Sequence, residues 1–306
     1  MPTRRQCRRF QLELKRVRDN PFRIRHIRQS GKLCLEAVLH DGSALKHVKT
    51  QTPEICLAAV KQNEWVLWYV ETQTPEICLE AAQRNGLTLE DVQTQTPEIC
   101  LVAVQQNGLA LYDVKTQTPE ICLAAVQHTG SALYSVQTQT PEICLAAVQK
   151  DGCSLQYVKI QTPEICLTAV QENGFALCYV QTQTPEICLA AVQQNGLALY
   201  NVKTQTPEIC LAAVQQNGLA LQYVQDQTLE ICLAAVRNDP TTLRHIPRDY
   251  EYDGIIVTSF YYEQECNVPC EPLEHRRLAW KTLRMLNQHY SPLPEECMRR
   301  ICLMIK

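Results

Sequence analysis

Ten of the seventeen cysteines in this 306-residue chain stand one every 22 residues: Cys34, Cys56, Cys78, Cys100, Cys122, Cys144, Cys166, Cys188, Cys210 and Cys232. A cysteine can be a nucleophile, a metal ligand or half of a disulfide, and each role needs its own company. Stacked helices lie about 8 to 10 Å apart, whereas a disulfide needs its Cα atoms within about 7 Å. One cysteine per stacked unit therefore predicts a row of small buried side chains in a reducing compartment. Cys266, Cys270, His275 and Cys297 are the one set with zinc-ligand types. Their spacing is looser than the paired CxxC of structural zinc sites, and Pro269 restricts the turn between the first two, so no metal and no cofactor is expected. The seven histidines are scattered, and the recurrent acid of the repeat sits at a helix start. A nucleophile, a base and an orienting group do not come together, which predicts a protein that is not an enzyme.

The elements behind this spacing repeat with the cysteine, most plainly at Thr206 to Gln225, TPEICLAAVQQNGLALQYVQ. Self-similarity at a fixed short period marks a solenoid. Thr suits the N-cap, Pro the first helical position and Glu the positive end of the helix dipole. Asn-Gly, as at Asn217 and Gly218, suggests a left-handed C-terminal cap. The run Ile209 to Val214 is apolar nearly all round, which predicts a helix buried on several sides, with Ala212 and Ala213 admitting its neighbour closely. Leu221 and Val224, three apart in every copy, favour a short second helix over a strand.

The chain thus reads as all-α: an α-solenoid of ten 22-residue two-helix repeats at 29–247. A basic N-terminal cap at 1–28 carries ten Arg and Lys against Glu13 and Asp19, with Asn20-Pro21 dividing one helix from a shorter one. A linker with a short β-rich stretch follows at 248–271, then a C-terminal helical cap at 272–306. No apolar run is long enough to span a bilayer, and no signal-peptide core follows the basic start, so a monomer free of the membrane is expected in the cytoplasm. The arginines are spread over helical turns rather than packed in a block, which favours a solvated cap over a nucleic-acid patch.

Comparison of the copies locates the candidate binding residues. Framework positions hardly change, but the two residues before the last Val vary freely, from Lys46-His47 to Arg244-His245. A position free to vary does not face an identical neighbour. This row supplies Trp68, Tyr69, Tyr112, Tyr134, Tyr157, Tyr179, Tyr200 and Tyr223, a composition favoured at protein contacts. Shielding of helix junctions by the tyrosines is the alternative. A second varying row runs through Gln62, Arg84, Gln106, His128, Lys150, Glu172, Gln194 and Gln216.

The unit CLAAVQQNGLALQYV, with its A-V-x-x-N-G-x-x-L core, resembles the repeat family called domain of unknown function 4116, abundant in giant viruses of amoebae and some intracellular bacteria. The resemblance implies a viral protein expressed in the host cell, in its cytoplasm or alternatively its nucleus or the virion, and transfers no catalytic residue. Its partner would be a host or viral protein. Leu293, Pro294, Glu295 and Glu296, followed by Met298, Ile301 and Leu303, are similar to the start of an F-box. Pro272 to Leu278 resembles a suppressor-of-cytokine-signalling box. These likenesses imply a ubiquitin-ligase adaptor, with Leu293, Pro294, Glu295 and Ile301 as docking residues. A helical hairpin covering the end of the solenoid is the alternative.

Overall fold

The computed structural model describes residues 4–246 together with 251–252 and 255–256. They fall into two compact units, Met1–Lys159 and Ile160–Lys306. In the first unit, the α-helix Arg4–Asp19 and the 3-10 helix Pro21–His26 precede the repeats. Then α-helices Gly31–His40, Pro53–Gln62, Pro75–Arg84, Pro97–Gln106, Pro119–His128 and Pro141–Lys150 alternate with 3-10 helices Gly42–His47, Glu64–Tyr69, Gly86–Asp91, Gly108–Asp113, Gly130–Ser135 and Gly152–Tyr157. The second unit continues with α-helices Pro163–Glu172, Pro185–Gln194, Pro207–Gln216 and Leu229–Asn238, each followed by a 3-10 helix, Gly174–Tyr179, Gly196–Asn201, Gly218–Tyr223 and Pro240–His245. The fold is an all-α solenoid. Within each unit successive α-helices form one layer and successive 3-10 helices the other.

Each α-helix starts where its sequence says it should. Thr118 Oγ1 accepts from the Ile121 amide at 3.3 Å, Pro119 opens the helix and Glu120 sits in its first turn. Ser30 caps the first repeat in place of Thr, and Thr228 caps the last although Leu229 replaces Pro. Ile121, Cys122, Ala125 and Val126 are buried on one face, while Leu123 and Ala124 are only half-buried. The helix is therefore not enclosed on several sides. It buries one face, and of the two alanines only the second is fully buried.

The second segment is helical but 3-10 rather than α. Gly108, Leu111 and Val114 are buried at a spacing of three, which is the 3-10 repeat, and the Val114 amide bonds to the Leu111 carbonyl at 3.2 Å. The Asn-Gly pair works differently from the left-handed cap expected. Asn107 is extended, at φ −149 and ψ 109; its amide closes the α-helix on Ala103, and its Oδ1 accepts from Leu109 at 3.0 Å to open the 3-10 helix. The glycine is there for space, because a Cβ at Gly42 or Gly174 would lie 2.5 Å from the carbonyl oxygen of Ala59 or Ala191 in the next repeat.

At the N-terminal end, Leu14, Val17 and Ile24 are buried, and Arg4–Asp19 packs on Gly31–His40. Arg18 and His40 both meet Glu36, the latter at 3.4 Å. The helix, turn and short helix read from Asn20-Pro21 are therefore present. A two-residue antiparallel pairing joins Glu251–Tyr252 to Ile255–Ile256, at the start of the stretch expected to be β-rich. The helical cap at 272–306, with Leu293, Pro294, Glu295 and Ile301, and the set Cys266, Cys270, His275 and Cys297 lie outside the described residues. Among the described residues no helix is long and apolar enough to cross a membrane.

Candidate functional site

The ladder cysteines are built into the core. All ten are buried thiols, and each Sγ lies 3.4 to 3.8 Å from the Oε1 of the glutamine five residues earlier. Burial pushes every one of them up from its ordinary value, to about 11 at Cys56, Cys210 and Cys232. Glu71 adds to the effect at Cys56 and Asp226 at Cys210. A thiol held protonated is a poor nucleophile and a poor metal ligand, so the row is a structural donor.

The same glutamine ties the layers together. Gln117 Nε2 donates to the carbonyls of Ser135 at 2.8 Å and Leu111 at 3.4 Å, and Oε1 accepts from the Gln137 amide at 3.0 Å and from Cys122. Ser135 and Leu111 belong to the 3-10 helices of successive repeats, so one side chain satisfies backbone groups on both sides of a repeat boundary. The arrangement begins at Gln29, which bonds Ile24 and His47, and recurs to Gln227.

With the backbone fixed in this way, the variable pair has a defined setting. The carbonyl of its second residue is bonded to the glutamine; the first side chain of the pair is exposed and the second is half-buried in most copies. In the first unit Trp68, Tyr112 and Tyr134 are 73%, 76% and 72% exposed; Tyr69 is also exposed, and Tyr157 is half-buried. Tyr134 and Tyr157 meet edge-on, ring centroids 5.6 Å apart. In the second unit Tyr200 and Tyr179 are exposed, and Tyr223 is half-buried with its ring 5.3 Å from Tyr200. The candidate residues thus occupy a common register, and two of the eight are partly covered by a neighbour.

Side chains three apart eclipse in a 3-10 helix, so the residue three before the first member of each variable pair shares that member's face. Trp65 therefore stands with Trp68 and Leu109 with Tyr112, both half exposed, and Phe175 joins the row in the second unit. The sequence reading missed these three, although the spacing of three that placed Leu and Val inside also places them outside. The second varying row is partly structural. Gln194 Oε1 accepts from the Gly174 amide at 2.7 Å and Gln216 Oε1 from Gly196 at 2.6 Å, and His128 Nδ1 takes the same place against Gly108.

Charge is uneven along the first unit's row. Lys46 and His47 lie at one end, with the Lys46 ammonium 5.3 Å from the centre of the Phe22 ring. Burial, then the nearby Lys46, Arg25 and His26, hold His47 below its ordinary value. Further along stand Glu90, Asp91 and Asp113. Burial and the negative charge of Glu90 raise Asp91, and burial with Glu90 and Asp91 raises Asp113.

Residues 140–183, 184–229 and 206–251 match the model of a domain of unknown function, DUF4116. Each match spans about two of the 22-residue repeats. No curated protein and no solved structure matches the chain.

Proposed function

We propose that the chain is a non-enzymatic scaffold that binds another protein through the exposed face of its 3-10 layer. The observation that carries this reading is the exposure of Trp65, Trp68, Leu109, Tyr112 and Tyr134, each at least half open to solvent, at two positions of one register. The framework around them is repeated almost without change. Large aromatic side chains lose little entropy on binding and supply much of the energy at protein interfaces. The resemblance to giant-virus repeats supports a host protein as the partner, met in the host cytoplasm. Affinity capture from the native cell tests the reading, with wild-type protein beside the triple variant Trp68→Ala, Tyr112→Ala and Tyr134→Ala. Loss of the captured proteins is expected, and unchanged recovery would place the interface elsewhere.

The F-box-like residues Leu293 to Glu296 favour a second reading, in which the solenoid selects a substrate and the C-terminal segment recruits a ubiquitin ligase. Removal of residues 272–306 should then abolish recovery of ligase components while leaving the remaining captured proteins in place. Ligase recovery from the shortened chain would exclude this second reading.

A further inference from the structure

We infer that the 3-10 face of the first unit takes an extended, cationic polypeptide segment, whose Lys or Arg side chains sit between Trp68 and Tyr112 against Glu90, Asp91 and Asp113. The inference rests on the scaffold reading and names the chemistry of its partner. Three consecutive repeats supply the face: Glu64–Tyr69 brings Trp65, Trp68 and Tyr69, Gly86–Asp91 brings Glu90 and Asp91, and Gly108–Asp113 brings Leu109, Tyr112 and Asp113. Neighbouring 3-10 helices of this set are packed side by side, so the carboxylates are bordered by aromatic side chains from both adjoining repeats.

The charge of the occupant follows from where the cations of the same repeats already are. Between residues 50 and 120 the chain has three, Lys61, Arg84 and Lys115. Lys61 faces Glu80 at 3.9 Å, Arg84 faces Glu64 at 3.7 Å, and the Lys115 ammonium is turned to the Gln93 carbonyl at 3.5 Å. Among the described residues none pairs with Glu90, Asp91 or Asp113. The glutamates that begin the helices, Glu54, Glu76 and Glu98, are opposed by the positive end of a helix dipole, which these three are not. A neutral partner laid over Trp68 and Tyr112 would take water from Asp91 and Asp113 and return nothing. Nucleic acid would bring more negative charge. A Lys or Arg side chain meets both demands, its head on a carboxylate and its stem or guanidinium face on an aromatic ring. Lys46 over Phe22 already makes such a contact in the first repeat of the same face.

An extended segment suits the spacing. Successive helices stand about 8 to 10 Å apart and an extended chain rises about 3.3 Å per residue, so about three residues cross one repeat. A segment of about twelve residues then spans four repeats.

The test is selection of random peptides of about twelve residues displayed against the immobilised full chain, followed by fluorescence anisotropy with the winning sequences. Enriched peptides should carry two or more Lys or Arg beside aromatic or aliphatic residues. Their affinity should fall at least about tenfold in the variant Glu90→Gln, Asp91→Asn and Asp113→Asn, and also in Trp68→Ala with Tyr112→Ala. It should weaken as salt rises from about 0.05 to about 0.3 M. Replacement of Glu54, Glu76 and Glu98 by Gln, which removes the same charge from the helix starts, should leave it within about twofold. Cationic peptides that bind the first carboxylate variant as well as wild type would overturn the inference. So would neutral or acidic winners, although if those winners fail on the aromatic variant the scaffold reading survives. Failure to enrich any sequence, or binding indifferent to both variants, would remove the face as a peptide site altogether.

Discussion

Gln117 uses both amide protons and both carbonyl lone pairs at one repeat boundary. Replacing it with Ala would strand the Ser135 carbonyl and the Gln137 amide and leave the Leu111 carbonyl with the Val114 amide alone. Loss of about 2 to 3 kcal/mol is expected for Gln117→Ala, against less than about 0.5 for the exposed Gln105→Ala, measured by denaturant titration. Equal effects would mean that the clamp is ornamental. The sequence hid this role because the clamp's backbone partners lie 18 and 20 residues further on, while its neighbours Thr and Lys mark it as part of a polar link. The cysteine beside it was legible as buried and small, but its bond to the glutamine was not. That burial has a consequence in alkali. Unfolded thiols release their protons near pH 9.0, while the folded ladder holds them higher, to about 11 at Cys56, Cys210 and Cys232. In that window the unfolded chain binds fewer protons, so stability is full below about pH 9 and falls as pH rises toward 11. A melting temperature level from about pH 8 to about pH 11 would contradict the burial. In the native protein the exposed Cys178 should react with maleimide well before any ladder cysteine.

Elements tolerate substitution according to what they meet across the repeat boundary. The 3-10 helices normally bury an alanine next to their leucine, and three of them bury a hydroxyl instead: Thr88, Ser154 and Thr242. Thr88 and Thr242 return their hydroxyls to the carbonyls of Asn85 and Asp239, at 2.8 and 2.7 Å, whereas the Ser154 hydroxyl has no partner among the described residues. Ser154→Ala should therefore stabilise the protein by about 1 kcal/mol and Thr88→Ala should not, a contrast that thermal melts of the two variants would show. Gly196→Ala should cost about 1 to 3 kcal/mol, because its Cβ would run into the Ala213 carbonyl. The caps were legible from Thr, Pro and Glu because an N-cap is a local interaction. The glycine was misread as a conformational requirement because its true constraint, the carbonyl of the next repeat, is not local. Phe175, Leu109 and Trp65 escaped notice for a related reason: their exposure depends on the helix being 3-10, and the apolar pattern alone did not separate 3-10 from α.

The molecule as a whole is legible to the extent that it repeats, since one unit read correctly is ten units read correctly. What the repeat leaves undetermined is identity, and this lies in side chains such as Trp68, Glu90, Asp91, Tyr112 and Asp113, whose meaning depends on a partner. A repeat architecture stabilised by contacts between neighbours makes a demanding prediction at this scale. Excision of residues 118–139, which lie wholly within the first unit, joins Gln117 to Thr140 and restores the Gln-Thr-Pro junction. Gln117 then inherits the partners of Gln139, namely the Tyr157 carbonyl, the Lys159 amide and Cys144. The shortened chain should keep its helical signal per residue and melt within a few degrees of the parent, about 5 °C at most. Excision of residues 118–128 alone removes the α-helix but keeps its 3-10 partner, and so takes from Gly108 the Ala125 carbonyl and the His128 ring that meet it. That variant should lose most of its cooperative transition. If both deletions melted alike, the register between glutamine and 3-10 helix would not be what holds the repeats together. The 22-residue deletion also removes Tyr134 while leaving Trp68, Glu90, Asp91, Tyr112 and Asp113 in place. Binding of a cationic peptide should survive it, weakened by the loss of one repeat's contacts, which separates the integrity of the scaffold from the identity of its binding face.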